Sequence, residues 1–206
     1  MDAAFVASFD VTCQTGDVEH AFPCGNTALD FVGTLKARRN AVPLETLTGP
    51  GKLEAWYREA GVVAGSEVTC AADDVPQAVT VREAIYTLVF ARLNELPYDD
   101  HAAEIVNAAA RVPAAVPQLL HNGHRIEATA EQALSSVARD AIAILGGSDA
   151  ELLKECGRPE CTQVYLDRSR GGRREWCAME TCGNKMKAKA YRARKKDQTR
   201  PVSARP

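Results

Sequence analysis

Four of the seven cysteines lie close together near the C-terminal end of the chain, in the spacing C-x4-C-x15-C-x4-C: Cys156, Cys161, Cys177 and Cys182. Two close pairs separated by a segment long enough for a hairpin can surround one Zn²⁺ ion, because each pair supplies two sulfurs to a tetrahedron. Four thiolates fill that tetrahedron and leave no position for water. The spacing therefore predicts one structural Zn²⁺ site.

Two other arrangements of these cysteines are two disulfides or four buried free thiols. Disulfides are disfavoured because we find no export signal at the N-terminus, and cytosolic thiols are kept reduced. Burial alone is disfavoured because residues 151–190 contain few large apolar side chains. Zinc supplies about 10 to 16 kcal/mol in small modules, which is more than those side chains could add.

Basic residues accumulate around the four cysteines. Residues 1–150 hold 10 Lys and Arg against 20 Asp and Glu, whereas residues 151–206 hold 15 against 7. The C-terminal part stays near +6 when four thiolates and one Zn²⁺ are included, because thiolate is the metal-binding form. Such asymmetry along a chain predicts a polyanionic partner.

A helix is predicted directly after Cys182, where the sequence reads CGNK. At about 100° per residue, Met186, Ala190 and Ala193 share one side of this helix. A second side carries only basic residues, namely Lys185, Lys189, Arg192 and Lys196. We expect the apolar side to pack on the zinc module and the basic side to face phosphates.

The candidate nucleic-acid contacts are therefore Arg173, Arg174, Lys185, Lys189, Arg192 and Lys196. DNA is the favoured partner. The alternatives are RNA, an acidic protein, and a charged helix face or tail that contacts only solvent. We expect Asp167, which is acidic within this basic stretch, to pair with Arg173 or Arg174.

The segments around the cysteines must form a small folded module. Gly157 and Pro159 allow a turn between the first two cysteines, and VYLDRS then predicts a strand. We expect Gly171-Gly172 to turn the chain so that RREWC pairs with this strand. The result would be a treble-clef or zinc-ribbon-like hairpin followed by the basic helix.

The preceding sequence predicts a mostly helical unit with a few antiparallel strands, so the fold class is α+β. Apolar spacing and capping residues predict helices at about 26–38, 50–61, 75–96, 101–111 and 131–145. Strands are expected at 1–13, before a turn at Gly16-Asp17, and on either side of Asn122-Gly123. We divide the chain into residues 1–146, a zinc finger at 147–196, and a flexible tail at 197–206.

No catalytic motif is visible in the sequence. It contains no G-x-S-x-G, P-loop or G-x-G-x-x-G run, and His101, His121 and His124 are expected on the surface. The chain also has no stretch of about 18 apolar residues. We therefore expect a soluble cytoplasmic protein that is not an enzyme and has no membrane partner. The alternative is an enzyme in the N-terminal domain with the finger as an accessory.

Several motifs together resemble the bacterial CGNR zinc-finger family, whose members join an N-terminal ABATE domain to a C-terminal finger. The four cysteines, LDRSRGGRREWC, CGNK and YRAR are similar to the finger, and FPCGNTALDFVGTL is similar to the opening of the ABATE domain. The resemblance implies a stress-responsive transcriptional regulator with the four cysteines as zinc ligands. An N-terminal domain of this kind is also where we expect a small-molecule ligand or self-association.

Two positions depart from the family pattern. Lys185 stands where the family name has arginine, which keeps the charge but loses the planar fork that binds phosphate or guanine with two hydrogen bonds. Gly33 stands where the family's ALDFVNT stretch has asparagine. Neither the base-contacting role of the arginine nor the polar role of the asparagine is carried over to this chain.

Overall fold

The computed structural model describes residues 20–198 of the chain. The described α-helices are α1 (Thr27–Val32), α2 (Pro50–Glu59), α3 (Asp74–Leu93), α4 (Asp100–Arg111), α5 (Ala130–Leu145) and α6 (Asn184–Gln198). The described strands are β1 (Leu35–Lys36), β2 (Leu44–Glu45), β3 (Pro117–Leu120), β4 (Gly123–Ile126), β5 (Leu153–Glu155) and β6 (Val164–Leu166). The strand predicted at 1–13 and the turn at Gly16-Asp17 lie outside these residues, as does most of the predicted tail.

The core of the N-terminal part forms where α1 packs against α3 and α5. Helix α4 also packs against α3 and α5. Trp56 of α2 is almost fully buried, and its ring centroid lies 4.8 Å from that of Phe31 in α1. Three antiparallel strand pairs, β1–β2, β3–β4 and β5–β6, complete the structure. The predicted α+β fold is confirmed.

Side-chain caps fix where three of the helices begin. The Asn26 side chain accepts hydrogen bonds from the backbone N–H groups of Ala28 and Leu29, and Asp99 accepts one from Ala102. The sequence predicted Asn26 as a cap, and it left Asp99 and Asp100 as alternatives for the second helix. Thr129 caps α5 together with the side chain of Gln132, a reciprocal arrangement that satisfies two backbone N–H groups at once.

Helix α1 is shorter than the predicted range of 26–38, and it ends at Val32. The Thr34 hydroxyl donates to the carbonyl of Phe31, and the backbone N–H of Thr46 donates to the carbonyl of Thr34. These bonds offer the backbone an alternative to another helical turn. The chain enters β1 instead, and Ala37 then adopts a left-handed conformation with φ of 53°.

Helix α3 is the longest, with 20 residues, as the sequence predicted. It ends at Leu93 and not at Leu96, because Asn94 closes it with a side-chain hydrogen bond to the carbonyl of Phe90. Within residues 20–198, no helix combines the length and apolar character needed to cross a membrane.

A buried arginine in α3, which the sequence analysis did not single out, fastens the β1–β2 hairpin to the helical core. Arg82 is 1% exposed and donates two hydrogen bonds of 2.7 Å to the Glu45 carboxylate. It also donates to Glu83 and to the hydroxyl of Thr34. Burial alone would raise the pKa of Glu45, but the bonds from Arg82 outweigh it and lower that pKa.

The β3–β4 hairpin is present, but its turn is displaced by one residue from the prediction. Leu120 pairs with Gly123, so His121 and Asn122 form the turn and Gly123 begins β4 with φ of 147°. The backbone of Ile126 also exchanges two hydrogen bonds with Ala64. This bridge holds the base of the hairpin against the loop after α2.

The strand pair of the zinc module differs from the predicted one. Strand β6 pairs with β5, which precedes the first zinc-module cysteine, and not with RREWC. RREWC follows an irregular path because its backbone groups bond elsewhere: the N–H of Gly157 donates to the carbonyl of Glu175, and the Tyr165 hydroxyl to that of Arg174. Strand β6 also contacts α1, and the N–H of Leu166 donates to the carbonyl of Cys24.

Candidate metal centre

The four predicted ligands converge on one point. Their Sγ atoms all lie within 4.8 Å of one another, and all four cysteines are buried. The Sγ of Cys177 lies 3.8 Å from that of Cys161 and 3.5 Å from that of Cys182. The loop between β5 and β6 supplies the first pair, and the segment leading into α6 supplies the second.

These distances fit zinc. Zn–S bonds of about 2.3 Å in a tetrahedron place neighbouring sulfurs about 3.8 Å apart. The set contains only sulfur, which suits Zn²⁺, and it is closed, so it has no position for a reacting water. The cluster is therefore one structural zinc site, as the spacing predicted.

Hydrogen bonds among the thiols make one of the four, Cys161, the easiest to deprotonate. Hydrogen bonding from the Cys177 thiol outweighs burial and lowers the pKa of Cys161 to about 5. The same hydrogen bond, followed by burial, raises the pKa of Cys177, and burial raises that of Cys182. Zinc replaces these shared protons, so metal binding should release protons and weaken as the pH falls.

Local backbone geometry brings each pair of cysteines together. The N–H of Cys161 donates to the carbonyl of Arg158, which closes a tight turn, and the N–H of Cys177 points at the Sγ of Cys156 at 3.5 Å. Cys182 lies in a single turn of π-helix, Met179–Gly183, directly before α6. A Cβ at Gly183 would lie 3.2 Å from the Trp176 ring and 2.5 Å from the Met179 sulfur, so glycine allows close packing at this position.

Asp167 organises the basic loop between β6 and Cys177, but through different partners from those predicted. It pairs with Lys154 at 2.7 Å and not with the side chain of Arg173 or Arg174. It also accepts backbone N–H bonds from Ser169 and Arg174. The bond from Lys154, followed by those from Ser169, holds the pKa of Asp167 well below its usual range.

Two adjacent arginines of this loop have opposite environments. Arg173 is exposed. The guanidinium of Arg174 stacks 4.3 Å from the Tyr165 ring centroid and donates to the carbonyls of Pro23 and Trp176, each at 2.8 Å, and to that of Cys177. Arg174 therefore bridges the metal loop and the segment that precedes α1, and its Nε and Nη2 donors are occupied by protein carbonyls.

Helix α6 extends away from the rest of the protein. Ala190 and Ala193 are exposed and Met186 is only half-buried, so the predicted packing of the apolar side on the zinc module is wrong. The reason is that small alanine side chains offer little area to bury. Lys185, Lys189, Arg192 and Lys196 are exposed along one side, and no acidic residue occurs between Thr181 and Lys196.

Comparisons with known families agree with this geometry. A model of the ABATE family, described as "Putative stress-induced transcription regulator", matches residues 25–148. The chain belongs to the ABATE family. A CGNR zinc-finger model matches residues 153–195, after the ABATE domain, so the order predicted from the motifs is confirmed. No curated protein matches the chain.

Gly33, which stands where the family pattern has asparagine, is closely surrounded by other atoms in the structure. A Cβ at Gly33 would lie 2.0 Å from the Nε2 atom of Gln163, so the Gln163 side chain occupies the space that a larger residue would need. The same Nε2 donates to the buried Cys24 Sγ at 2.7 Å. A finger residue thus fills a gap in the ABATE domain. The earlier CGN tripeptide, Cys24-Gly25-Asn26, is the entry to α1.

Proposed function

We propose that this ABATE-family protein is a DNA-binding transcriptional regulator whose zinc finger presents α6 to the phosphate backbone. The observation that carries the proposal is a helix of 15 residues that shows only exposed or half-buried side chains from Asn184 to Lys196, with four cations on one side. At 1.5 Å per residue the stripe from Lys185 to Lys196 is about 16 Å long, which spans several phosphates.

The zinc site supports this role by fixing where the helix begins. Cys182 ligates the metal two residues before the first helical residue, Asn184, so the ion determines the direction in which α6 leaves the finger. Arg173 lies on the other exposed basic segment of the finger and is a further candidate contact. Arg174 is better assigned to the protein's own interior than to phosphate.

Salt dependence tests the proposal directly. Replacing Lys185, Lys189, Arg192 and Lys196 with alanine should reduce the slope of log K against log salt by about 3 to 4, because each phosphate contact contributes about 0.9. A matched comparison removes two charges at a time: replacing Lys189 and Arg192 should reduce the slope by about 1.8, and replacing Lys187 and Arg194, on the opposite side of the same helix, should reduce it less. Fluorescence anisotropy on duplex DNA gives both slopes.

Equal slopes for the two sets of variants would contradict the proposed face. Competition against structured RNA and an acidic protein decides the partner class: displacement by duplex DNA at the lowest concentration supports the proposal, and displacement first by either competitor contradicts it. That the protein has no catalytic role stays part of the proposal. A hydrolytic or transfer activity that survives extensive purification would contradict it.

A further inference from the structure

A cavity of about 270 Å³ in the ABATE domain lies between four segments of the chain. Its walls come from the start of α1, the loop after α2, one face of the β3–β4 hairpin, and α5. The residues that line it are Thr27, Ala60, Gly61, Val62, Ala115, Pro117, Ile126, Ser136 and Asp140. Most of them are apolar, and none carries a positive charge.

The one charged group in this lining is the carboxylate of Asp140. It is half-buried and hydrogen-bonded to the side chain of Thr27. Within residues 20–198 it makes no ion pair, and its neighbour Arg139 points instead at the carbonyl of Val112 and the hydroxyl of Ser135. A carboxylate withdrawn from water without a cation carries an unfavourable desolvation energy, because nothing offsets the lost hydration.

The groove on the opposite face of the same hairpin shows the contrast. Alternate residues of a strand face opposite sides, so Val116, Gln118 and Arg125 line this second groove. Two of its charges pair with each other, Arg125 and Glu127, and the third, the Glu67 carboxylate, is exposed to water. Of these two grooves, the first therefore holds the carboxylate that is both partly withdrawn from water and without an ion-pair partner among residues 20–198.

From this arrangement we infer that the ABATE domain binds a small organic cation in the cavity, with an ammonium group on Asp140 and an apolar body against Val62, Pro117 and Ile126. Ligand sites are commonly apolar clefts in which a few polar groups fix orientation, and Asp140, Thr27 and Ser136 are those groups here. A single carboxylate offers too few ligands for a metal ion, so an organic cation is the better match.

Burial raises the pKa of Asp140, and its bond to Thr27 opposes this shift. A bound ammonium would favour the ionised carboxylate and reverse the direction of the shift. The inference does not rest on the proposed DNA binding, because occupancy of the cavity is measured without nucleic acid.

Benzylamine is a suitable probe, with benzyl alcohol and benzoate as neutral and anionic analogues of the same size. We expect saturation-transfer NMR and calorimetry on the full zinc-loaded chain to show benzylamine binding in the millimolar range and weaker binding of both analogues. Asp140→Asn should weaken benzylamine binding about tenfold, because a hydrogen bond to a charged group is lost. Glu131→Gln, an exposed change on the same helix, should leave it unchanged.

A second variant keeps the test decisive if Asp140→Asn alters folding. Ala115→Leu narrows the cavity while leaving the carboxylate in place, and it should also weaken benzylamine binding. No binding up to about 10 mM benzylamine, equal binding of the three compounds, or unchanged binding in a folded Asp140→Asn protein would each overturn the inference.

Discussion

The ABATE domain and the zinc finger are stabilised by different interactions. The ABATE domain buries large side chains such as Phe31, Leu53 and Trp56 between helices. The finger has two strands of three residues each, and four sulfurs stand at its centre. The difference shows that a short, charged segment can hold a fixed shape when a metal ion replaces most of an apolar core.

Removing a zinc ligand should have the largest effect, because it abolishes a contribution of about 10 kcal/mol or more to the folding of the finger. We expect Cys177→Ser to lose zinc and unfold the finger while most of the ABATE domain stays helical. Elemental analysis should fall from one zinc per chain to none. Trp176 reports on the finger and Trp56 on the ABATE domain, so their fluorescence in single-tryptophan backgrounds separates the two regions.

Cys70→Ser is the control for this change, since Cys70 is a buried cysteine outside the metal cluster. It should retain one zinc per chain and an unchanged Trp176 signal. Zinc retained by Cys177→Ser, or lost by Cys70→Ser, would remove the distinction between the two regions.

The second effect concerns Asp30, a buried carboxylate of α1 that accepts the N–H of Cys24 at 3.0 Å. Burial raises its pKa from 3.8 to about 6. The folded state therefore holds this proton more tightly than the unfolded state, and stability falls as the pH rises from about 4 to about 6. The Asp30→Asn variant has no carboxylate to ionise. The free energy of unfolding of the variant minus that of the wild type should therefore increase by roughly 3 kcal/mol as the pH rises from about 4 to about 6.

Urea denaturation of the two proteins at each pH measures this difference. Protonation of the zinc ligands affects both proteins and cancels when they are compared. A difference that stays constant with pH would show that Asp30 has an ordinary pKa in the folded protein.

The third effect compares Arg174 with Arg173. Arg174→Ala removes three hydrogen bonds to carbonyls and a stacked contact with Tyr165, so we expect it to lower the free energy of unfolding by about 2 kcal/mol. Arg173→Ala should change it by less than about 0.5 kcal/mol, because the side chain is exposed. Thermal or urea unfolding with zinc bound tests both.

DNA affinity should show the opposite order in this pair. Arg173→Ala should reduce the salt slope by about 1 under the proposed function, and Arg174→Ala should leave the slope of the folded protein unchanged. Equal stability losses for the two variants would mean that Arg174 does not bridge the two regions.

The smallest effect is expected in α6. Ala193→Gly should lower helicity locally but change the free energy of global unfolding by only about a few tenths of a kcal/mol, because the Ala193 side chain is exposed. Ala138→Gly in α5 is the matched control. Ala138 is fully buried, so its loss should cost at least about 1 kcal/mol. Comparable losses in the two helices would show that α6 is packed in solution.

Features with strong local signals could be predicted from the sequence. The cysteine spacing identified the metal cluster. Asn26 and the pair Asp99-Asp100 marked the starts of two helices, because capping depends on only a few neighbouring residues. The order of the two family domains followed from short motifs. The predicted boundary between residues 146 and 147 and the nucleic-acid contacts remain predictions.

Features that depend on distant contacts could not be predicted. The sequence does not show that β6 pairs with β5, since both RREWC and LKE can form strands and only the packed structure selects between them. Arg174 looked like Arg173 because the chain alone does not reveal that a carbonyl from Pro23 lies within reach. Helical spacing placed three apolar residues on one side of α6, but spacing cannot say whether a surface lies opposite.

The contact between β6 and α1 limits how this finger can be reused. Val164, Tyr165 and Leu166 are all buried, and the backbone of Leu166 is bonded to that of Cys24. A chimaera that joins the finger to an unrelated partner would leave this surface in water even with its metal bound. When recombination exchanges fingers between related proteins, the new finger must therefore fit the start of α1. Either the start of α1 is exchanged as well, or the two proteins already share it.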